Sequence, residues 1–313
     1  MPIRLNDQMP VFQRLEAENI FVMREQRAST QDIRELHIAI LNIMPNKIDT
    51  ELQLLRLLSN TPLQLRITFV RLDSHRYKHT SEEYLNRFYK PFSEVREERF
   101  DGMIITGAPV ENLPFEQVDY WEEMREIMGW ADTHVTSVMY ICWAAQAGFY
   151  FHYGIQKHAL PEKLSGIYRH TTLYRNEALT RGFNDRFYAP HSRYTEVRRE
   201  DVQAVPELTI LAEADDAGVY LVHDKKNHRV FVCGHPEYSR MTLDAEYQRD
   251  VNKGIDPNMP IHYYRNDDPE IGPVFQWKAH AYLLFSNWLN YEVYQVTPYR
   301  LDAIGTGQTT EMD

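Results

Sequence analysis

Three side chains in this sequence have the types and surroundings for covalent nucleophilic catalysis: Cys142, His235 and Glu237. Cys142 follows a short apolar, β-branched run, Val135 to Ile141, and precedes Trp143-Ala144-Ala145-Gln146-Ala147, which is rich in small helix formers. A thiol at such a strand-to-helix corner gains the positive end of the helix, which favours thiolate. The backbone N–H of Trp143 is a helix-start donor free to hold an oxyanion. This is the logic of a nucleophile elbow with cysteine in place of serine. Taken alone, Cys142 reads equally well as a small buried apolar residue. A cysteine nucleophile needs a base and a group to hold that base. His235 and Glu237 supply both, two residues apart around the stiff Pro236. Cys233, inside the preceding apolar run, reads as core.

The elements that must position these residues alternate. Apolar runs at 36–44, 65–72, 100–105 and 135–141 read as strands, and amphipathic stretches at 47–59, 81–89 (Ser81 as N-cap) and 116–130 as helices between them. That alternation implies βαβ crossovers, hence an α/β fold with a mostly parallel sheet and helices on both faces. In such sheets ligands bind beyond the carboxyl ends of the strands. Cys142 and the loop Thr106-Gly107-Ala108-Pro109 both fall there, which favours the catalytic reading of the cysteine. Beyond the helix at 143–153, residues 157–199 read as irregular loops and short antiparallel strands. Further strands are expected at 208–213, 219–222 and 229–233, with Gly234-His235-Pro236-Glu237 at the last carboxyl end. Residues 244–272 are charged and broken by Gly and Pro, and 275–291 reads as an aromatic-rich helix. With no linker dividing the chain, the expected organisation is an N-terminal surface arm over 1–35, one α/β domain over 36–300 and a mobile tail over 301–313.

Composition narrows the class. A net charge of -11 over 313 residues argues against a nucleic-acid partner, which would need a basic face. No window of eighteen apolar residues spans a membrane, and the N-terminus lacks a signal peptide's apolar core. Two cysteines make no disulfide framework, so a cytoplasmic protein with reduced thiols is expected.

The pieces Ile105-Thr106-Gly107-Ala108-Pro109, Tyr140-Ile141-Cys142-Trp143-Ala144-Ala145-Gln146 and Cys233-Gly234-His235-Pro236-Glu237 resemble, in order, the three motifs of class I glutamine amidotransferase-like domains, a flavodoxin-like architecture. Leu41-Asn42-Ile43-Met44-Pro45-Asn46-Lys47, Thr106 to Glu111 and Gly234 to Tyr238 resemble one branch, the homoserine O-acyltransferases usually called homoserine O-succinyltransferases, over about residues 1–300. The resemblance implies acyl transfer from acyl-coenzyme A to the hydroxyl of L-homoserine through a thioester, in methionine biosynthesis, by a cytoplasmic homodimer with no metal or bound cofactor. It implies Cys142 as nucleophile, His235 as general base and Glu237 as a further catalytic residue. It places substrate contacts at Lys163, Ser192 and Arg249, each of which would otherwise read as a solvated charge or loop hydroxyl. Trp143, Gly107 and Ala108 are the candidate oxyanion donors. Lys47 lies either near the thioester or simply at a helix start.

Glu111 bears on the acyl group. A succinyl group ends in a carboxylate, and like charges about 4 Å apart cost roughly 4 kcal/mol at a surface-like dielectric. In the family, glycine at this position goes with succinyl use and glutamate with acetyl use. Acetyl-coenzyme A is therefore the expected donor. The rivals are succinyl transfer, should Glu111 point away, and a glutamine amidotransferase subunit. The latter would need a synthetase partner, and Cys142-Trp143-Ala144-Ala145-Gln146 departs from its usual Cys-x-Gly-x-Gln.

Overall fold

The structure, a computed structural model, describes residues 3–5, 8–17, 22–24, 34–174, 176–298 and 300–305. Its centre is a run of parallel strands: β3 (Leu36–Leu41), β4 (Leu65–Arg71), β6 (Phe100–Ile105), β7 (Val135–Ile141) and β12 (Arg229–Val232). They lie in the order β4-β3-β6-β7-β12, with short β5 (Tyr89–Pro91) beside β4. The crossover helices are α2 (Lys47–Leu58), α3 (Glu82–Phe88), α4 (Phe92–Val95), α5 (Trp121–His134) and α6 (Trp143–Tyr153). Ser81 caps α3, its hydroxyl accepting from the N–H of Tyr84.

Because side chains alternate along a strand, each central strand feeds two cores. Met139 and Ile141 of β7 pack with α2, with α9 (Lys278–Asn287) and with the π-helical turn Trp288–Tyr294. Val138 and Tyr140 pack with α5 and α6 on the opposite face. The expected α/β architecture with both faces covered is what the chain adopts.

Beyond β12 the sheet turns antiparallel through β11 (Gly218–Asp224), β10 (Thr209–Ala214), β8 (His158–Thr172) and β9 (Arg186–Glu196). Here the structure departs from the sequence expectation. Residues 157–199 form two of the longest strands, not loops and short strands. Their buried positions mix polar residues (His170, His191, Arg193 and Thr195) with apolar ones such as Phe187 and Ala189, so the usual apolar alternation is hidden. Similarly, the charged stretch after 244 contains most of a helix, α8 (Thr242–Asn252).

The N-terminal segment is more than a surface arm. Ile3–Leu5 and Val22–Arg24 extend the sheet as parallel strands β1 and β2, and α1 (Pro10–Ala17) buries Val11, Phe12 and Leu15. Three apolar side chains on an eight-residue helix are too few to show a period. At the other end, Ile304 is buried and its carbonyl accepts from Arg99. The remainder of the expected mobile tail, 306–313, lies outside the described residues.

The buried polar positions predict a pH dependence. The Nε2 atoms of His170 and His191 are 2.9 Å apart, so one ring donates and the other accepts. Burial pushes His170 down to about 3 and His191 well below its ordinary value; burial and then Arg229 bring His152 to about 3. Each folded-state value lies below that of the unfolded chain. The unfolded state therefore binds more protons as pH falls through 6.5, and stability present above that pH is lost progressively towards pH 3. Each histidine contributes on the order of 1.4 kcal/mol per pH unit in that window. Urea midpoints should fall between pH 7.5 and pH 5, less steeply for His170→Gln. A midpoint flat across this range in both proteins would contradict the assignment.

Candidate active site

The register of β7 against β12 creates the site. Ile141 lies opposite Val232, so Cys142 and the loop after Val232 leave the sheet side by side. The Cys142 N–H donates to the Val232 carbonyl at 2.7 Å, and its backbone takes φ 54° and ψ -114°, a conformation L-residues rarely adopt. That turn starts α6 directly at Trp143. The first helical bond there runs from the Gln146 N–H to the Cys142 carbonyl, so the Trp143 N–H precedes the ladder as an open donor. The Trp143 ring is buried against Phe115 and Tyr120 and leaves only its backbone to the site.

On the β12 side, the His235 N–H donates to the Pro190 carbonyl of β9 at 2.8 Å. His235 Nδ1 donates to Glu237 Oε1 at 2.7 Å, which leaves Nε2 as the ring's open nitrogen, and Cys142 lies within electrostatic reach of the imidazole. Cys142, His235 and Glu237 are 8%, 3% and 9% exposed. Burial alone would neutralise the imidazole, but the Cys142 sulfur and the Glu237 carboxylate outweigh it and hold His235 well above its ordinary value. The Tyr238 ring stacks on His235 at 4.1 Å between centroids. Gly107 completes the wall: a Cβ there would lie 3.3 Å from the Cys142 Cβ, a tight contact, so the loop after β6 approaches the thiol most easily as glycine. The structure thus brings the three expected residues together, His235 bonded to Glu237 and Cys142 within electrostatic reach of the ring, with the N–H of Trp143 and the Gly107-Ala108 turn beside them.

The structure also gathers Lys163, Ser192 and Arg249, which come from three different elements. Lys163 Nζ lies 3.1 Å from Asp250 Oδ2, and Arg249 reaches Asp250 Oδ1 at 2.8 Å. The Ser192 hydroxyl donates to Glu246 at 2.5 Å, and Lys163 lies 3.8 Å from the same oxygen. Glu246 and Asp250 went unnoticed in the sequence because α8 itself was not recognised there. Once α8 is known, their spacing from Arg249 puts all three on one face.

Glu111 stands within electrostatic reach of both groups: burial raises its carboxyl, while His235, Lys163 and Lys157 oppose that. The loop that carries it is tied down by Lys157, whose ammonium donates to the carbonyls of Glu111 and Leu113 and lies over the Phe115 ring. Lys47 is 1% exposed, donates to the Asn42 carbonyl and sits 4.1 Å from the Tyr77 ring centroid. Burial brings it down to about 7 against the opposing pull of Glu51. These contacts tie the first turn of α2 to the end of β3.

Under the site lies a residue that sequence reasoning missed. Arg193 is 2% exposed; its guanidinium donates to the carbonyls of Thr195 and Ala217 and to His191 Nδ1. Accepting at Nδ1 fixes the His191 proton on Nε2, so His191 donates to His170. The Thr195 carbonyl also accepts from Gln146, which links this cation to the helix that begins at Cys142. Among the described residues, no cluster of three or more His, Cys, Asp or Glu side chains is arranged to hold a metal ion.

Comparison with known proteins gives a consistent result. The family model described as homoserine O-succinyltransferase matches residues 2–299. A relative from Bacteroides fragilis named homoserine O-acetyltransferase is 57% identical over 304 residues, covering 97% of this chain and all of that protein. One of the same name from Brevibacillus brevis is 58% identical over 302 residues, covering 96% of this chain and 99% of its own length. Among solved structures, a glutamine amidotransferase from Thermotoga maritima superposes with a TM-score of 0.55 at 12% identity, covering 82% of this chain and 98% of its own. A glutamine amidotransferase from Methylobacillus flagellatus gives 0.52 at 10% identity, covering 83% and 95%. These two likenesses concern the fold alone.

Gly234 offers a check on the geometry. A Cβ there would lie 2.8 Å from the Pro190 carbonyl and 2.9 Å from the Tyr220 ring. The Pro190 carbonyl cannot retreat without releasing the His235 N–H. Gly234→Ala should therefore lower stability by about 1–3 kcal/mol and slow alkylation of Cys142. Denaturant midpoints and iodoacetamide kinetics read both effects, and wild-type values in both would mean the strand end is not constrained as described.

Proposed function

We propose that this chain, which belongs to the homoserine O-succinyltransferase family, transfers an acetyl group from acetyl-coenzyme A to the hydroxyl of L-homoserine through a thioester on Cys142. The observation that carries the chemistry is the juxtaposition of Cys142 with the bonded pair His235 and Glu237 at adjacent strand ends. His235 takes the thiol proton as Cys142 Sγ attacks the thioester carbonyl. The resulting oxyanion is held by the N–H of Trp143 and the Gly107-Ala108 turn. As the tetrahedral species collapses, the proton passes from the imidazolium to the departing coenzyme A sulfur. L-Homoserine then enters, and His235 takes its hydroxyl proton as the oxygen attacks the acyl carbon. Collapse expels the Cys142 thiolate, and the proton returns to it. Glu237 keeps the imidazole oriented and stabilises its charged form.

Lys163 and Arg249 suit the homoserine carboxylate, Arg249 through a two-pronged clamp and Lys163 as a point charge. The donor is acetyl in this reading because Glu111, within electrostatic reach of His235, presents a carboxylate that a succinyl carboxylate would meet. This agrees with the names of the relatives and departs from the family's description. A cytoplasmic homodimer belongs to the same reading; no helix among the described residues is long and apolar enough to cross a membrane.

Brief mixing with acetyl-coenzyme A alone should give one acetyl adduct on Cys142 by intact mass, discharged by L-homoserine. Cys142→Ala should fold, take up no acetyl and lose turnover. An adduct from neither acetyl- nor succinyl-coenzyme A would sink the covalent reading and make glutamine hydrolysis the next assay.

Glu111→Gly should raise kcat/KM for succinyl-coenzyme A relative to acetyl-coenzyme A by at least tenfold, since a repulsion of roughly 4 kcal/mol is only partly realised in a wet cleft. An unchanged ratio would remove Glu111 from donor selection.

A further inference from the structure

Glu111 sits on a segment with little of its own to hold it. From Pro109 to Pro114 no side chain is buried, and Leu113 is 42% exposed. Within the segment the Val110 N–H donates to the Ala108 carbonyl and the Leu113 N–H to the Val110 carbonyl, local turns that fix its curl but not its place. Among the described residues, the hydrogen bonds that reach it from elsewhere in the chain both come from Lys157. We propose that Lys157 is a positioning residue for donor selection: by clamping the backbone on both sides of Asn112, it holds the Glu111 carboxylate where an incoming acyl group meets it. This assignment rests on the acyl-transfer reading above and on the part Glu111 plays in it.

The Lys157 ammonium is committed to that task. It donates to the carbonyls of Glu111 at 2.6 Å and Leu113 at 2.5 Å, and lies 4.5 Å from the centre of the Phe115 ring. Its hydrogen bonds thus end on backbone oxygens and not on a carboxylate, so its charge stays available to the surroundings. Burial brings it down to about 8, with Glu111 and then Glu116 pulling the other way. In return Lys157 joins His235 and Lys163 in opposing the rise that burial imposes on Glu111. It thereby favours the carboxylate over the neutral acid, and the carboxylate is the form that repels a succinyl group.

Lys157 also refers the segment to the right frame. It lies just beyond α6, whose exit is fixed by Gly154 in the left-handed region at φ 70° and by the buried Ile155. The same helix begins beside the nucleophile at Trp143, and its Tyr150 ring stacks on Phe115 at 4.9 Å. One helix therefore relates the thiol, the Trp143 N–H and, through Lys157, the carboxylate of Glu111. A repulsion that falls with distance discriminates between acyl groups only when its source keeps a fixed separation from the reacting carbon.

The test is a cycle of wild type, Lys157→Met, Glu111→Gly and the double variant, each assayed with acetyl- and succinyl-coenzyme A. In Lys157→Met the preference for acetyl, as a ratio of kcat/KM values, should fall about fivefold or more, with KM for L-homoserine within about twofold of wild type. In the Glu111→Gly background the same substitution should change the ratio by less than about twofold, because the side chain it positions is gone. Lys157→Arg keeps the charge and the reach and should restore most of the preference. Lys157→Gln is a second neutral variant with the expectation of Lys157→Met, for use if methionine at this half-buried site prevents folding. A wild-type ratio in a folded neutral variant, or an equal fall in both backgrounds, overturns the assignment. If Glu111→Gly alone leaves the ratio unchanged, or the unsubstituted protein forms no acyl adduct, the donor reading falls first and this assignment falls with it.

Discussion

The pairing of β7 with β12 is the constraint on which the rest depends. Two parallel strands end level, Ile141 opposite Val232, and each is followed by a turn tight enough to expose a reactive side chain. A shift of one residue would put the residue after Ile141 on the wrong side of the sheet, because side chains alternate with period two. The register is protected from both faces. Met139 and Ile141 are locked into one core, and Tyr140 into the other, stacked on Phe231 of β12 at 5.1 Å. The strained backbone at Cys142 persists because the end of the strand before it and the first two turns of the helix after it are buried.

The parallel half of this arrangement was legible in the sequence because its buried residues are apolar. Runs such as 100–105 and 135–141 have one reading as strands, and their carboxyl ends named Thr106 and Cys142 without further help. The strand after Asn227 named His235 in the same way. The antiparallel half was much less legible. Its buried face holds His170, His191, Arg193 and Thr195, so a rule that expects apolar residues inside reads it as loop. Helix α8 was missed for a related reason: among its residues only Leu243 and Asp250 are buried, and its working face is charged. Lys163, Ser192 and Arg249 entered through resemblance, and nothing in their own neighbourhoods would have joined three residues from three elements.

Those polar interiors also explain how an acidic protein handles anionic substrates. The net charge of -11 is spread over the chain, whereas the cations that matter are placed individually. Lys163 and Arg249 are aligned by Asp250, Lys157 secures the loop bearing Glu111, and Arg193 is sunk beneath the helix that begins at Cys142. The last of these costs the most to bury. Its donors end on carbonyls and a histidine, with the nearest carboxylate, Glu196, only at 4.0 Å, so its charge is only partly compensated. A partly compensated cation favours negative charge in its surroundings, and both cysteines lie within its electrostatic reach.

On the proposed mechanism the sheet divides the labour of a two-step transfer. The parallel strands would hold the nucleophile, the base and the oxyanion donors on largely buried elements, where small displacements would be felt directly in the rate. The antiparallel strands and α8 would hold the acceptor site on polar side chains. A direct connection also joins the halves: the Pro190 carbonyl of β9, two residues before Ser192, fixes the backbone of His235. The base is therefore positioned by the same strand that presents the acceptor's contact. Such coupling suits an imidazole that must serve a thiol in the first step and a hydroxyl in the second without moving its own anchor.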